Sequence, residues 1–299
     1  MKKTLTIATR TGSLAVVQTQ IVVAAIQKLF PALDIRIKKI ASEGDKDRRT
    51  TLWELKETGF FTSILEDALL AKEADIAVHS FKDLPTSIRE GLTIGAVLER
   101  KFPEDCLVCA SLIKSLDELP KEAIVGTSSL RRAVQLKQLR GDLKCVPIRG
   151  NVPTRLKKLE QGDFNAIVLA RAGLERLGLA DKISIIFDPT QFIPSPAQGA
   201  LAVEVRADDA ETKEIVSKLD DKDAHIITTA ERLVFSALGC GCHAPAGVFA
   251  QINGSNITIS GCFSDPDGQN FSHATISGPI AQSAKLAQTL ADKLRQKSS

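Results

Sequence analysis

Ile124-Val-Gly-Thr-Ser-Ser-Leu-Arg-Arg132 is the stretch from which the architecture of this chain can be worked outward. Ala123–Val125 has the make-up of a short buried strand, Gly-Thr-Ser forms a turn, and Leu130 begins a helix. Ser128 or Ser129 is placed to cap that helix, leaving its first backbone N–H groups to face a ligand. Such a helix start favours anions through those N–H groups and the positive end of the helix dipole. Arg131 and Arg132 add two planar guanidinium forks suited to carboxylate or phosphate. The alternative is a well-capped surface helix with two solvated arginines. Against it stands repetition, because Arg and Lys recur at comparable strand-to-helix junctions.

The same strand–turn–helix texture extends in both directions. Leu5–Thr9 reads as a buried strand, and Thr11-Gly12-Ser13 opens a long apolar helix that reaches Phe30 and is stopped by Pro31. A second strand is expected at Asp34–Ile40, followed by a polar, Gly-bounded segment, Gly44–Gly59, with the character of a movable lid. A helix at Phe60–Ala71 leads into strands at Asp75–Ser80 and Leu92–Leu98. This alternation predicts a mainly parallel sheet with helices on both faces. A second series has strands at Asp105–Ala110, Ala123–Val125, Lys144–Ile148, Ala166–Leu169 and Ile183–Phe187, with helices at Leu130–Leu139, Val152–Gln161 and Ala172–Leu177. Asp188–Gly199, with Pro189, Pro194 and Pro196, reads as a segment crossing between domains, after which come a strand at Leu201–Arg206 and a helix to about Leu219. From His225 the texture changes to a helix ending at Leu238, then Gly-rich strands with hairpin signals at Asn253-Gly254 and Asp267-Gly268, then an amphipathic helix at Ile280–Arg295. Three domains follow: residues 1–99 with 200–219, residues 100–199, and residues 220–299.

Composition narrows the function classes. The 299 residues are 43% hydrophobic and 25% charged, as in a water-soluble globular protein. A net charge of +3, 4% aromatics, no Tyr and one Trp supply little for nucleic-acid binding. No apolar run has membrane-spanning length, and Lys2-Lys3 is not followed by a signal-like stretch. The six cysteines are therefore expected to stay reduced in a cytoplasm.

Ligands of open α/β sheets sit beyond the carboxyl ends of the strands. Arg10, Lys82-Asp83, Arg131-Arg132 and Arg149 are all predicted there, with Arg155 one turn into the next helix and Arg176 near the end of another. Cations gathered at one crevice repel each other, so they point to a polyanionic ligand. Asp83 is the lone carboxylate in His79-Ser-Phe-Lys-Asp-Leu-Pro85. It is an ion-pair partner of Lys82, a cap of the turn before Pro85, or a group facing a substrate that becomes cationic or must lose a proton. His79, inside a strand, is expected in the core or backing the site. Cys106 and Cys109 have redox spacing, but an offset of three in a strand sends them to opposite faces, so they are assigned to the core. Cys240-Gly-Cys242-His243 lies in a Gly-rich loop and could be a nucleophile, a redox pair or half a metal site.

Taken in order, these stretches closely resemble the porphobilinogen deaminase (hydroxymethylbilane synthase) family. The matching text is Ile7-Ala-Thr-Arg10, Asp75–Pro85, Val125–Arg132, Arg149-Gly-Asn-Val-Pro-Thr-Arg155, Ala172-Gly-Leu-Glu-Arg-Leu-Gly178, Gln198-Gly-Ala200, and Gly241-Cys242 with Pro245. The resemblance implies two α/β lobes like those of type II periplasmic binding proteins, with a small α+β C-terminal domain. It implies a transferase of porphyrin and heme biosynthesis that condenses four porphobilinogen molecules with loss of ammonia and releases hydroxymethylbilane by hydrolysis. It further implies a dipyrromethane cofactor in thioether linkage to Cys242, Asp83 as the catalytic carboxylate, and a cytoplasmic monomer with no nucleic-acid or membrane partner and no metal.

Carried over residue by residue, the cofactor would be held by Lys82, Ser128, Ser129, Arg131, Arg132 and Arg155. The substrate would meet Arg10, Ser13, Phe61, Arg149, Arg155, Arg176 and Gln198. The chain departs from the family pattern at Lys56-Glu-Thr58-Gly59, where a lysine usual in the loop is missing. It departs also at Gly12, with Ser13 displaced by one, at Arg49 in place of an acidic residue, and at Cys240 in place of a glycine. A two-lobed polycarboxylate receptor without chemistry, or a nucleic-acid binder, are the competing readings. An intact mass would separate them from the enzyme.

Overall fold

The computed structural model describes residues 2–41, 62–239, 245–265 and 267–297. The expected lid at Gly44–Gly59, Phe61, and the Cys240–His243 run lie outside the described residues. In chain order the first elements are β1 (Thr4–Arg10), α1 (Ser13–Leu29), β2 (Asp34–Ile40), α2 (Ser63–Leu70), β3 (Ile76–Ser80) and β4 (Leu92–Val97). There follow β5 (Asp105–Cys109), β6 (Ile124–Gly126), α3 (Leu130–Leu139), β7 (Lys144–Val146), α4 (Val152–Glu160), β8 (Ala166–Ala170), α5 (Arg171–Arg176) and β9 (Ile185–Ile186). The chain then forms β10 (Leu201–Arg206), α6 (Ala210–Ser217), α7 (Lys222–Ala237), β11 (Gly247–Asn253), β12 (Asn256–Phe263), β13 (Ser272–Pro279) and α8 (Ser283–Lys297). By internal contacts the described residues fall into two compact units, one of residues 2–41, 62–101 and 199–226, the other holding the remainder.

The first unit is built on a five-stranded sheet of order β2-β1-β3-β10-β4. Alternation along β1 sends Leu5 and Ile7 to one face, where they pack with Val22 and Ile26 of α1 and Ile215 and Val216 of α6. Ala8 goes to the opposite face with Ala77, Leu65 and Leu69, beneath α2. β1 pairs in parallel with β2 and β3, whereas β10 is antiparallel to both β3 and β4. Four of the five strands thus run the same way, as the sequence predicts, and β10 alone is reversed. β10 is reached through residues 188–199 instead of a βαβ crossover, and so enters the sheet from the opposite end.

The second unit repeats the plan in a sheet of order β7-β6-β8-β5-β9, with β5 antiparallel to β8 and β9. Leu107, Val125 and Val168 pack with Leu136 of α3 on one face. Val108, Ile167 and Leu169 pack with Leu156 of α4 and Leu174 of α5 on the other. This unit also holds the antiparallel sheet β11-β12-β13, along which α8 buries Leu286, Leu290 and Leu294. Two α/β sheets covered on both faces and a small C-terminal α+β layer are the architecture the sequence predicts.

Residues 192–198 form a buried strap in the second unit. Gln135 of α3 grips Ile193 at both its N–H (2.6 Å) and its carbonyl (2.9 Å). Val248 N–H of β11 donates to the Pro194 carbonyl at 3.0 Å. Glu231 of α7, with no solvent exposure, accepts from Ala197 N–H at 2.6 Å and Ala250 N–H at 2.7 Å. Ala197 sits at φ +59°, a left-handed conformation that this carboxylate helps to hold.

Candidate active site

In the first unit the parallel pairing of β1 with β3 puts Arg10 and the turn after Ser80 at the same carboxyl edge. Phe81–Asp83 forms one 3-10 turn there, with Phe81 buried as its anchor and Phe81 N–H donating to the Ala200 carbonyl. Lys82 is half-buried and Asp83 exposed. Among the described residues Asp83 makes no hydrogen bond or ion pair, so it is neither the partner of Lys82 nor a turn cap. Ser13, exposed at the first position of α1, stands at the same edge. His79 lies in the core as expected, its Nε2 3.0 Å from the carboxylate of buried Glu204.

In the second unit the opening stretch folds as strand, turn and helix, with Ser129 at the N-cap of α3. The expected serine cap is not made: Ser129 has no side-chain cap bond. Ser128 instead donates its hydroxyl to the Ile148 carbonyl and accepts from Ile148 N–H at 3.2 Å. That brace fixes the residue preceding Arg149. Gly126, at the end of β6, is closely approached, since an added Cβ would lie 3.0 Å from side-chain atoms of both Ile167 and Phe164.

Arg131 and Arg132 are 5% and 7% exposed, which excludes the solvated surface helix. Both guanidiniums reach Asp105, a fully buried carboxylate at the start of β5 that the sequence reading passed over. Beside Glu104 at a strand start, nothing in the sequence marks it as the carboxylate that is buried and so must be paired. Burial alone would raise the Asp105 pKa, but Arg131 and Arg132 outweigh it and hold the carboxyl well below its usual range. Gln198, expected at the substrate, is fully buried with its amide nitrogen donating to Pro103 O and Asp105, both at 2.9 Å.

Arg149 and Arg155 flank the N-terminus of α4, which Asn151 caps by accepting from Thr154 N–H at 3.0 Å. Arg149 Nε is buried without a hydrogen-bond partner among the described residues. Arg155 donates Nε to the Gly150 carbonyl at 2.7 Å. Its pKa is lowered to about 10, first by burial and then by the like charges of Arg132 and Arg149. Arg176, at the end of α5, is likewise lowered to about 10 by burial. Half-buried cations close to one another, with one shared carboxylate already taken by Arg131 and Arg132, are what a ligand with several carboxylates fits. A dipyrromethane with acetate and propionate side chains is such a ligand.

The remaining sequence candidates are structural. Cys106 and Cys109 fall on opposite sides of β5, Cys106 in the core with its thiol pushed up to about 12 by burial. Among the described residues no cluster of three or more His, Cys, Asp or Glu could hold a metal ion, and no helix is long and apolar enough to cross a membrane.

Residues 5–214 match the family model "Porphobilinogen deaminase, dipyromethane cofactor binding domain", and residues 226–296 match "Porphobilinogen deaminase, C-terminal domain". The chain is 40% identical over 288 residues to a porphobilinogen deaminase of Syntrophobacter fumaroxidans, covering 96% of this chain and 93% of that one. It is 42% identical over 296 residues to a porphobilinogen deaminase of Roseiflexus sp., covering 98% and 97%. Among solved structures, the methionine-binding protein MetQ aligns with 77% of this chain and 93% of its own at 14% identity and a TM-score of 0.46. The chain belongs to the porphobilinogen deaminase family.

Proposed function

We propose that Asp83 and the cations Arg10, Lys82, Arg131, Arg132, Arg149, Arg155 and Arg176 carry the family's reaction in this chain, and that Cys242 bears the cofactor. The activity is that of a porphobilinogen deaminase: four porphobilinogen units are joined with loss of ammonia, and hydroxymethylbilane is released by hydrolysis. When bound, the dipyrromethane supplies the pyrrole carbon to which incoming units are joined. The observation that carries the residue assignment is the guanidinium set at α4, where Arg149 and Arg155 are half-buried close to each other and have no carboxylate of the described residues against them.

Each residue then has a physical task. The arginines take up the acetate and propionate groups of substrate through charge-assisted hydrogen bonds, which fixes where the reacting pyrrole lies. Asp83, exposed and without a partner among the described residues, faces the pyrrole nitrogen of the porphobilinogen that loses ammonia. Its fixed negative charge stabilises the positive charge developing on that ring, and its oxygens can hold the proton the new ring must lose. Ser128 acts by bracing Ile148 beside Arg149, and Gln198 by holding Asp105. Ser129 and Phe61 remain assigned by the resemblance to the family, and Ser13 by lying one residue from the position of the family's usual serine.

We also propose three domains, one for each sheet (residues 1–99 with 200–219, 100–199 and 220–299), and a cytoplasmic monomer. The free thiols Cys106, Cys109, Cys145 and Cys262 support a reducing compartment. Sedimentation at micromolar concentration checks the oligomeric state. The test of the assignment is peptide mapping with turnover: the adduct on a peptide bearing Cys242, lost in Cys242→Ser and kept in active Cys240→Ser. An adduct on Cys240 would overturn it.

A further inference from the structure

Asp105 divides the work of two adjacent arginines. Its Oδ2 accepts from Arg131 Nη1 at 2.7 Å, while Oδ1 accepts from Arg132 Nε at 3.1 Å, Arg132 Nη2 at 2.7 Å and Gln198 Nε2 at 2.9 Å. Arg131 uses Nη1 alone, sharing it between Asp105 and the Ile193 carbonyl at 2.7 Å. Its Nε and Nη2 form the edge of a guanidinium that meets a carboxylate with two parallel bonds, and that edge has no partner among the described residues. Arg132 is the reverse: its Nε/Nη2 edge is turned to Asp105 and its Nη1 to the Val168 carbonyl at 3.1 Å. The Ile193 carbonyl that receives Arg131 is itself fixed, because Gln135 holds Ile193 at both backbone groups.

We propose that Asp105 is a positioning residue of the site, acting through Arg131 and Arg132. It anchors Arg131 by one nitrogen so that the opposite edge is presented to a carboxylate of substrate or cofactor. It takes the corresponding edge of Arg132, which becomes a strut between β5, β8 and α3 and contributes to the ligand chiefly by charge. Gln198 completes the arrangement by donating to the same Oδ1, which explains a buried glutamine beside a catalytic cluster. This inference rests on the polycarboxylate reading above and adds that neighbouring, chemically identical residues do different jobs.

The test compares Asp105→Asn, the double variant Asp105→Asn with Gln198→Glu, Arg131→Lys and Arg132→Lys. The double variant returns one negative charge a hydrogen bond away while losing the paired grip on the two forks. Thermal melting, intact mass, and KM and kcat for porphobilinogen are read on protein purified with its cofactor. Asp105→Asn is expected to melt lower and to raise KM at least about tenfold, the scale of one lost charged hydrogen bond. The double variant should regain melting temperature and leave KM raised. Arg132→Lys should lower melting more than Arg131→Lys, and Arg131→Lys should raise KM more than Arg132→Lys.

A double variant that regains KM along with melting would reduce Asp105 to charge balance and overturn the proposal. So would Asp105→Asn with the parent's KM. If Asp105→Asn does not fold, the two lysine variants decide, and equal losses in both readouts refute the division of labour. A parent protein that turns over no porphobilinogen would sink the functional reading instead, while the melting order of the lysine variants still judges the positioning.

Discussion

Asp83 stands exposed on a one-turn helix just past β3, with no partner among the described residues. If it stabilises a cationic pyrrole, Asp83→Asn keeps shape and removes charge, and single-turnover rates should fall by roughly 10²–10³. Asp83→Glu keeps the charge but moves it by a methylene and should fall between. Asn-variant rates close to the parent's would leave the mechanism without its carboxylate. The thiols give a second check at this scale. Burial pushes Cys106 and Cys262 up to about 12, so at pH 8 almost no thiolate exists at either. Alkylation of the native protein should leave both unmodified, and labelling of Cys106 before unfolding would contradict its place in the core. The candidate cations were legible because most of them fall at strand ends, where an apolar run stops and a helix begins. Asp105 was not, because a carboxylate at a strand start reads as a boundary residue until the sheet brings two arginines over it.

At the scale of elements, the turn between β6 and α3 depends on a close approach at Gly126. Gly126→Ala must push Ile167 or Phe164 aside, at a cost of about 1–3 kcal/mol. Denaturant melts should show that loss, and an unchanged midpoint would mean the turn is looser than described. β11 makes a similar approach to the strap: a Cβ at Gly247 would lie 2.7 Å from the Ile193 carbonyl, which is backbone and cannot swing away. The helices and strands were readable from period and punctuation. α1 runs from Ser13 to Leu29 because Gly12 precedes it and Pro31 follows, and β2 occupies Asp34–Ile40. The direction of β10 was not readable, since Leu201–Arg206 is apolar enough for any central strand and its polarity depends on the route taken by residues 188–199. Nor was the missing serine cap readable: Ser129 at the N-cap of α3 makes no side-chain cap bond, and Ser128 braces Ile148, twenty residues on.

For the whole molecule, each unit holds a carboxyl well below its ordinary pKa. Asp105 in the second does so against burial through Arg131 and Arg132. Asp209 in the first, also against burial, does so through Thr212 hydrogen bonds, Arg206 and Lys2. A carboxyl depressed in the folded state stabilises it above the unfolded pKa, about 3.9, and that contribution fades as pH falls through the folded value. Melting temperature should therefore drop steeply from about pH 4 downward, and Asp105→Asn should flatten that drop. An acid limb identical in parent and variant would mean Asp105 is not charged in the native protein. The central claim, a deaminase built on a covalent dipyrromethane, is tested most directly by the intact mass of the purified protein. The account predicts an excess equal to two linked porphobilinogen-derived units, growing in steps of one unit when porphobilinogen is added. A chain of unmodified mass that binds porphobilinogen yet never gains mass from it would contradict the account.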